Sequence, residues 1–247
     1  GGFVIVSGDD QTEPILGYCD HGQFDYESAP PGLRALIDGY RHQIASLQSS
    51  GQGRADAPII RDAVPTHPKV AQLMKSKWSQ GYPYNMTCPE YFSLGRSVTG
   101  CVATAMAQIL YYNREKSVSE TTAAMPSYDT WTEHATYGKL HVDGIPEGSP
   151  IDWENMKDEY GSATEKQRKA VADLMHYCGV AVKMDYTNSS SGAQSHDAYE
   201  AFAKYFGYGK SVKYVSYATV SSDTEWDKII YAEISAGRPV YVSGSND

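Results

Sequence analysis

The chain of 247 residues contains no run of lysine and arginine, and its 21 basic residues are outnumbered by 30 acidic ones, giving a formal net charge of −9. Nucleic-acid backbones are gripped by clustered cations that neutralise phosphates. With no such footprint, nucleic acid is excluded as a partner, and the acidic balance mainly favours solubility. No apolar stretch reaches the roughly 20 residues that span a bilayer, so membrane insertion is not expected. Cysteine is scarce: Cys19, Cys88, Cys101 and Cys178 form neither a CxxC pair nor a zinc-ligand spacing. Two disulfides are arithmetically possible, but nothing selects a pairing, and free, buried thiols are the default for all but Cys101. No cofactor or metal motif is present. Asp9-Asp10 reads as a turn, because no series of oxygen ligands follows it. Asp152-Trp153-Glu154 reads as structural, because no spacing singles out two placed carboxylates. Phenylalanine is rare, at 5 residues, while tyrosine reaches 20; its ring packs a core while its hydroxyl meets a polar edge. There is no internal repeat. The chain does not begin with Met and shows no secretory leader, and its opening Gly-Gly-Phe-Val-Ile-Val reads as a strand, so a leader is expected upstream.

The 41% hydrophobic and 21% charged residues are ordinary for a globular protein. The length suits one sizeable domain with a smaller companion. Residues 3–7 and 15–19 are β-rich runs separated by Gly8-Asp9-Asp10-Gln11 and Pro14, which suits a hairpin. Pro31 then opens a helix carrying Leu33, Leu36, Ile37, Tyr40, Ile44 and Leu47 at helical spacing. Residues 1–48 thus form a small β-plus-helix module. Residues 49–58 are small, polar and aperiodic, which predicts a linker open to proteolysis. The boundary region is 49–64, and a second domain covers 65–247. There Thr66 is expected to cap a helix with Val70, Leu73 and Met74, and 115–150 to be loop-rich. Thr164-Glu-Lys-Gln167 is a capping box, opening a helix with Val171, Leu174, Met175 and Cys178 that stops at Gly179. Strands are predicted at 180–186, 212–217 and 239–243. Further helices carry Ala198, Ala201, Phe202 and Tyr205, then Trp226, Ile229, Ile230 and Ile234. The class is α+β, with helices first and sheet later in the second domain.

The chemically informative stretch runs from Ser97 to Leu110. Val102, Ala105, Met106, Ile109 and Leu110 recur at helical spacing, which gives an amphipathic helix with Thr99 as its cap. Cys101 falls in the first turn. Helix N-termini expose unpaired N–H groups and a partial positive charge, which favour thiolate over thiol. The N–H of Cys101 would also stabilise an oxyanion. Such a thiol suits acyl transfer through a thioester. Spacing alone fits a buried structural cysteine at least as well.

Several segments, in order, shift that balance. Gly100-Cys101-Val-Ala-Thr-Ala-Met-Ala-Gln108-Ile closely resembles the nucleophile segment of the streptopain family, papain-like bacterial proteases secreted as zymogens. Trp78-Ser-Gln80-Gly-Tyr-Pro-Tyr-Asn85 resembles that family's upstream cleft segment. Val182-Lys-Met-Asp-Tyr186 with Ser189-Ser-Ser-Gly-Ala193 is similar to its substrate-binding loop, and Phe206-Gly-Tyr and Arg238-Pro-Val-Tyr-Val-Ser-Gly244 extend the match. Phe3-Val-Ile-Val-Ser through Leu16-Gly-Tyr resembles its pro-domain. In detail the chain is similar to the interpain-type zymogens of the Bacteroides/Prevotella branch.

The resemblance implies a secreted or cell-surface cysteine endopeptidase, held inactive by its own pro-domain in cis, with protein or peptide substrates and no cofactor. The fold implied is a papain-like catalytic domain, a helical part plus an antiparallel sheet part, behind a small α/β pro-domain. The nucleophile is Cys101. Gln80 supplies the second oxyanion contact, unless it is an ordinary exposed loop residue. Ser189, Ser190, Ser191, Gly192 and Ala193, with Val242, Ser243 and Gly244, border the subsite for the residue preceding the cleaved one. By composition alone, 189–193 is equally a flexible turn.

The family's catalytic histidine is expected past Asp247, beyond the Ser243-to-Asp247 loop. Among the seven histidines present, His196 is the best substitute, although a solvated helix-start residue is the simpler reading. His176 lies outside the apolar spacing and is expected to be exposed. His21, His42, His67, His134 and His141 carry no partner signal. The alternative reading is a catalytically incomplete binding or inhibitory form that lacks its general base.

Overall fold

A computed structural model describes residues 2–9, 15–19, 22–29, 31–50, 67–115 and 119–244. The chain divides into two compact units, Gly1–Ala63 and Val64–Asp247. In the first, β1 (Phe3–Val6) and β2 (Ile15–Cys19) pair antiparallel, with Phe3 opposite Cys19 and Ile5 opposite Gly17. Branched and aromatic residues suit this pleated pair. Helix α1 (Pro31–Ser50) begins on its proline, whose missing N–H costs nothing at that position. The Tyr40 hydroxyl donates to the Leu16 carbonyl at 3.1 Å and so ties α1 to β2. Within α1, Ile37 is buried. The helix takes in Ser49 and Ser50 of the predicted linker; 51–64, Thr66, His21 and 245–247 lie outside the described residues.

In the second unit, α2 (Cys101–Asn113) packs against α3 (Glu165–Ala181) and α4 (Ser195–Tyr205). The buried face of α2 comprises Val102, Ala103, Met106, Ala107, Leu110 and Tyr111, whereas Ala105 and Ile109 are half-buried. Its small residues let the helices approach closely. The Thr164 capping box forms as predicted: its hydroxyl accepts from the Gln167 N–H, and the Gln167 side chain accepts from the Thr164 N–H. Helix α5 (Asp223–Ser235) is followed by Gly237 at φ +72°, a left-handed stop that suits glycine. The predicted loop region 115–150 instead holds a hairpin, β3 (Tyr128–His134) and β4 (Gly138–Val142), with Tyr128 opposite Val142. No helix of the described residues is long and apolar enough to cross a membrane.

Four local predictions fail. No helix forms at 67–79. There His67 bonds Asp227 on α5 at 2.5 Å and stacks on Tyr231, whose hydroxyl donates to the Pro68 carbonyl. Further along, the Lys77 N–H is taken by Asp158 O, so the segment finds its partners outside itself. At 180–186, α3 overruns Gly179 by two residues, and the backbone turns through Lys183 at φ +50°, with the Met184 N–H donating to the Gly179 carbonyl. Residues 212–217 and 239–243 join no ladder among the described residues. β-propensity makes a strand only where a partner satisfies its N–H and C=O groups.

Candidate active site

The nucleophile segment is built on an upstream aromatic anchor. Trp78 is buried, donates its indole N–H to the Lys157 carbonyl at 2.8 Å, and packs 4.9 Å from the Tyr111 ring of α2. This holds the segment that carries Gln80. The Gln80 carbonyl accepts from the Thr99 N–H at 3.1 Å, so its backbone lies two residues from Cys101. Its side chain is exposed.

Gly100, not Thr99, caps α2. Thr99 is buried, with its hydroxyl on Thr104 Oγ1 at 2.8 Å, and makes no capping bond. Gly100 adopts φ 82° and ψ 148°, a region open essentially to glycine alone. A Cβ there would stand 2.6 Å from Met184 Sδ and 3.1 Å from the Ser191 carbonyl oxygen. The missing side chain therefore lets the start of α2 sit directly on Met184 and the 187–193 loop.

Cys101 is the first residue of α2 and is exposed. The first-turn position leaves its N–H without an intrahelical partner. Cys88 and Cys178, also free thiols, are fully buried. Burial pushes the Cys88 thiol up to about 12 and drives Cys178 well above its ordinary value.

The 187–193 loop is fastened to the segment that leads into Cys101. Ser191 is buried; its hydroxyl donates to the Val98 carbonyl at 2.7 Å and accepts from the Thr187 N–H at 3.1 Å. The Val98 N–H in turn donates to Thr187 O. Ser189 and Ser190 stay exposed, with their N–H groups on Thr187 Oγ1, while Gly192 and Ala193 are half-buried. Of the C-terminal trio, Val242, Ser243 and Gly244 are exposed. Their neighbour Tyr241 bonds Ser195 on α4 at 3.2 Å. Burial pushes the Tyr241 phenol up, opposed by its bond to Ser195. Sequence reasoning named neither Met184 nor Tyr241 as a site residue, although both lie in segments quoted for the resemblance.

Among the described residues, no hydrogen bond joins Cys101 to a histidine. His196 is exposed at the start of α4, its ring beside Tyr199 and Tyr214. His176 corrects the expectation of exposure. It is half-buried, with its Nδ1 enclosed and unpartnered, and burial drives its imidazole down to about 4. The apolar face of α3 is wider than the minimal periodic stripe and reaches this position. His141 pairs with Asp129 at 2.7 Å, and His134 packs against Phe92 and Tyr137. Among the described residues, no group of three or more His, Cys, Asp or Glu could hold a metal ion.

Residues 78–247 match the Peptidase C10 family, and residues 1–44 match the Spi protease inhibitor family. A streptopain of Streptococcus pyogenes is 31% identical over 99% of this chain. The thiol protease/hemagglutinin PrtT of Porphyromonas gingivalis is 30% identical, also over 99% of this chain, which covers 28% of that protein. The chain spans 62% of the length of the streptopains it matches. Active interpain A of Prevotella intermedia, a cysteine protease, superposes with a TM-score of 0.59 at 34% identity, covering 68% of this chain and 67% of that one. A prointerpain A fragment gives 0.65 at 28% identity, covering 96% of this chain and 73% of that one. The α+β, papain-like fold expected from the sequence is thereby established. With most of its length matched by that family's model, the chain belongs to the Peptidase C10 family.

Proposed function

We propose that this chain is the zymogen part of a cysteine endopeptidase that hydrolyses peptide bonds through a thioester on Cys101. The observation that carries this reading is the contrast between thiols: Cys101 is exposed at a helix N-terminus, while Cys88 and Cys178 are sealed in the core. The sulfur attacks the scissile carbonyl, and a histidine takes the thiol proton and returns it to the leaving amine. On this reading, that histidine follows Asp247. The oxyanion is held by the N–H of Cys101 and the amide of Gln80. The Gln80 backbone bond to Thr99 supports this role. Residues 189–193 and 242–244 border the subsite for the residue preceding the cleaved bond.

Residues 1–48 act as an inhibitory pro-segment, and cutting within 49–64 releases the enzyme. The inhibitor-family match over 1–44 and the similarity to a prointerpain fragment support this division. Substrates are proteins or peptides, and the site of action is outside a bacterial cell, as the resemblance implies.

The test is alkylation of the full-length protein with iodoacetamide, followed by mass spectrometry. Cys101 is expected to react first, with loss of proteolysis, and Cys88 and Cys178 only on unfolding. Equal labelling of all four thiols with activity retained would overturn the reading.

A further inference from the structure

The carboxylate of Asp185 is buried, yet it has no part in the chemistry proposed for Cys101. Its two oxygens are spent on one residue: Oδ1 accepts from the Thr132 N–H at 3.0 Å, and Oδ2 accepts from the Thr132 hydroxyl. Thr132 lies on β3, 53 positions away in sequence. The main chain of Asp185 faces the other way. Its N–H donates to the Gly192 carbonyl at 2.7 Å, and its carbonyl accepts from the Gly192 N–H at 3.2 Å. One residue thus clamps the 187–193 loop at its far end and anchors it to the β3–β4 hairpin. On the same hairpin, the Tyr128 hydroxyl donates to Met184 O at 2.8 Å. Met184 is the side chain on which Gly100 rests. A buried charge is retained only where hydrogen bonds replace its water, and all of the replacement found here serves to join these two elements.

We propose that Asp185 is a positioning residue: held by Thr132 and paired with Gly192, it fixes the 187–193 loop beside Cys101 and so sets affinity for the peptide rather than reactivity of the thiol. This rests on the reading of Cys101 as the nucleophile. The thiol itself is placed by α2 and Gly100, to neither of which a hydrogen bond of Asp185 runs among the described residues. Loosening the loop at its Asp185 end weakens peptide binding, while the bonds of Ser191 and Thr187 to Val98 still hold the segment that leads into Cys101.

The experiment compares Asp185→Ala, Asp185→Asn, Thr132→Val and Cys101→Ala in the full-length protein. The readouts are kcat and KM on a peptide with an apolar residue before the cleaved one, the rate of Cys101 alkylation, and thermal stability. Losing hydrogen bonds to a buried carboxylate is expected to raise KM about tenfold to a hundredfold in Asp185→Ala, with kcat and alkylation within about twofold. Asp185→Asn is expected to recover most of this, because its oxygen still accepts from the Thr132 N–H and its amide donates to the hydroxyl. Thr132→Val, which removes a single bond from an exposed residue, falls between the two. If Asp185→Ala does not fold, Thr132→Val decides. An unchanged KM, or a fall in alkylation that tracks loss of stability, overturns the proposal while Cys101→Ala remains inactive. Proteolysis surviving in Cys101→Ala overturns the nucleophile reading, and the proposal with it.

Discussion

Replacing Gly100 by alanine tests whether the nucleophile's placement depends on a backbone that only glycine can adopt. At φ 82° and ψ 148°, an alanine is strained by about 1–3 kcal/mol. Its Cβ would also stand 2.6 Å from Met184 Sδ, 2.7 Å from Met184 Cε and 3.1 Å from the Ser191 carbonyl oxygen. The thioether is flexible in principle, but Met184 is fully buried, and the carbonyl belongs to the clamped loop. Overpacking of this kind costs about 1–3 kcal/mol more. The sum is about 2–6 kcal/mol, or a drop in melting temperature of roughly 4–24 °C for a unit of this size. Thermal denaturation of the full-length protein measures it, and peptidase activity is expected to fall further than stability. Met184→Ala alone opens a cavity that the new methyl partly fills, so the double variant should lose less than the two single losses added together. A loss below about 0.5 kcal/mol in Gly100→Ala, or strict additivity in the double variant, would refute the account of the helix start.

Two further outcomes are expected. Because burial lowers His176 in the folded state to about 4 from 6.5, the unfolded chain binds the extra proton first. Stability is therefore full above about pH 6.5 and is lost as pH falls through 4, by at most about 3 kcal/mol. Urea unfolding at pH 7 and pH 4 should show this slope, and His176→Phe should flatten it; an unchanged slope would remove His176 as the cause. Gly179→Ala places a Cβ 1.8 Å from Tyr186 Oη and 2.8 Å from Cζ. With Tyr186 fully buried, the cost should reach about 3 kcal/mol or more, partly recovered when Tyr186→Phe removes the oxygen. A Gly179→Ala variant as stable as the parent would contradict this packing.

Legibility in the sequence followed the range of the forces involved. Helices α2, α3, α4 and α5 announced themselves because a 3.6-residue period, a Thr164–Gln167 box and a terminal Gly237 are local signals. The hairpin β3–β4 did not. Its strand Tyr128–His134 is largely exposed, with Thr130 its only buried residue, and gives little apolar alternation to read. The runs 212–217 and 239–243 alternate as strands should, yet form none among the described residues, because alternation reports a preference and not a partner. His176 was misjudged for a related reason: the width of a helix's buried face depends on what packs against it.

The local sequence, then, determined that a thiol opens a helix at Cys101, that Gly100 precedes it, and that a small-residue loop follows Val182–Tyr186. Those facts need only neighbouring residues and the electrostatics of a helix end. Only the tertiary structure decided that Cys101 is exposed while Cys88 and Cys178 are enclosed, that Gly100 rests on Met184, and that Asp185 ties the loop to Thr132. Each of these joins residues far apart in the chain, and such contacts are selected by packing and by the satisfaction of buried polar groups, which no short stretch of sequence encodes.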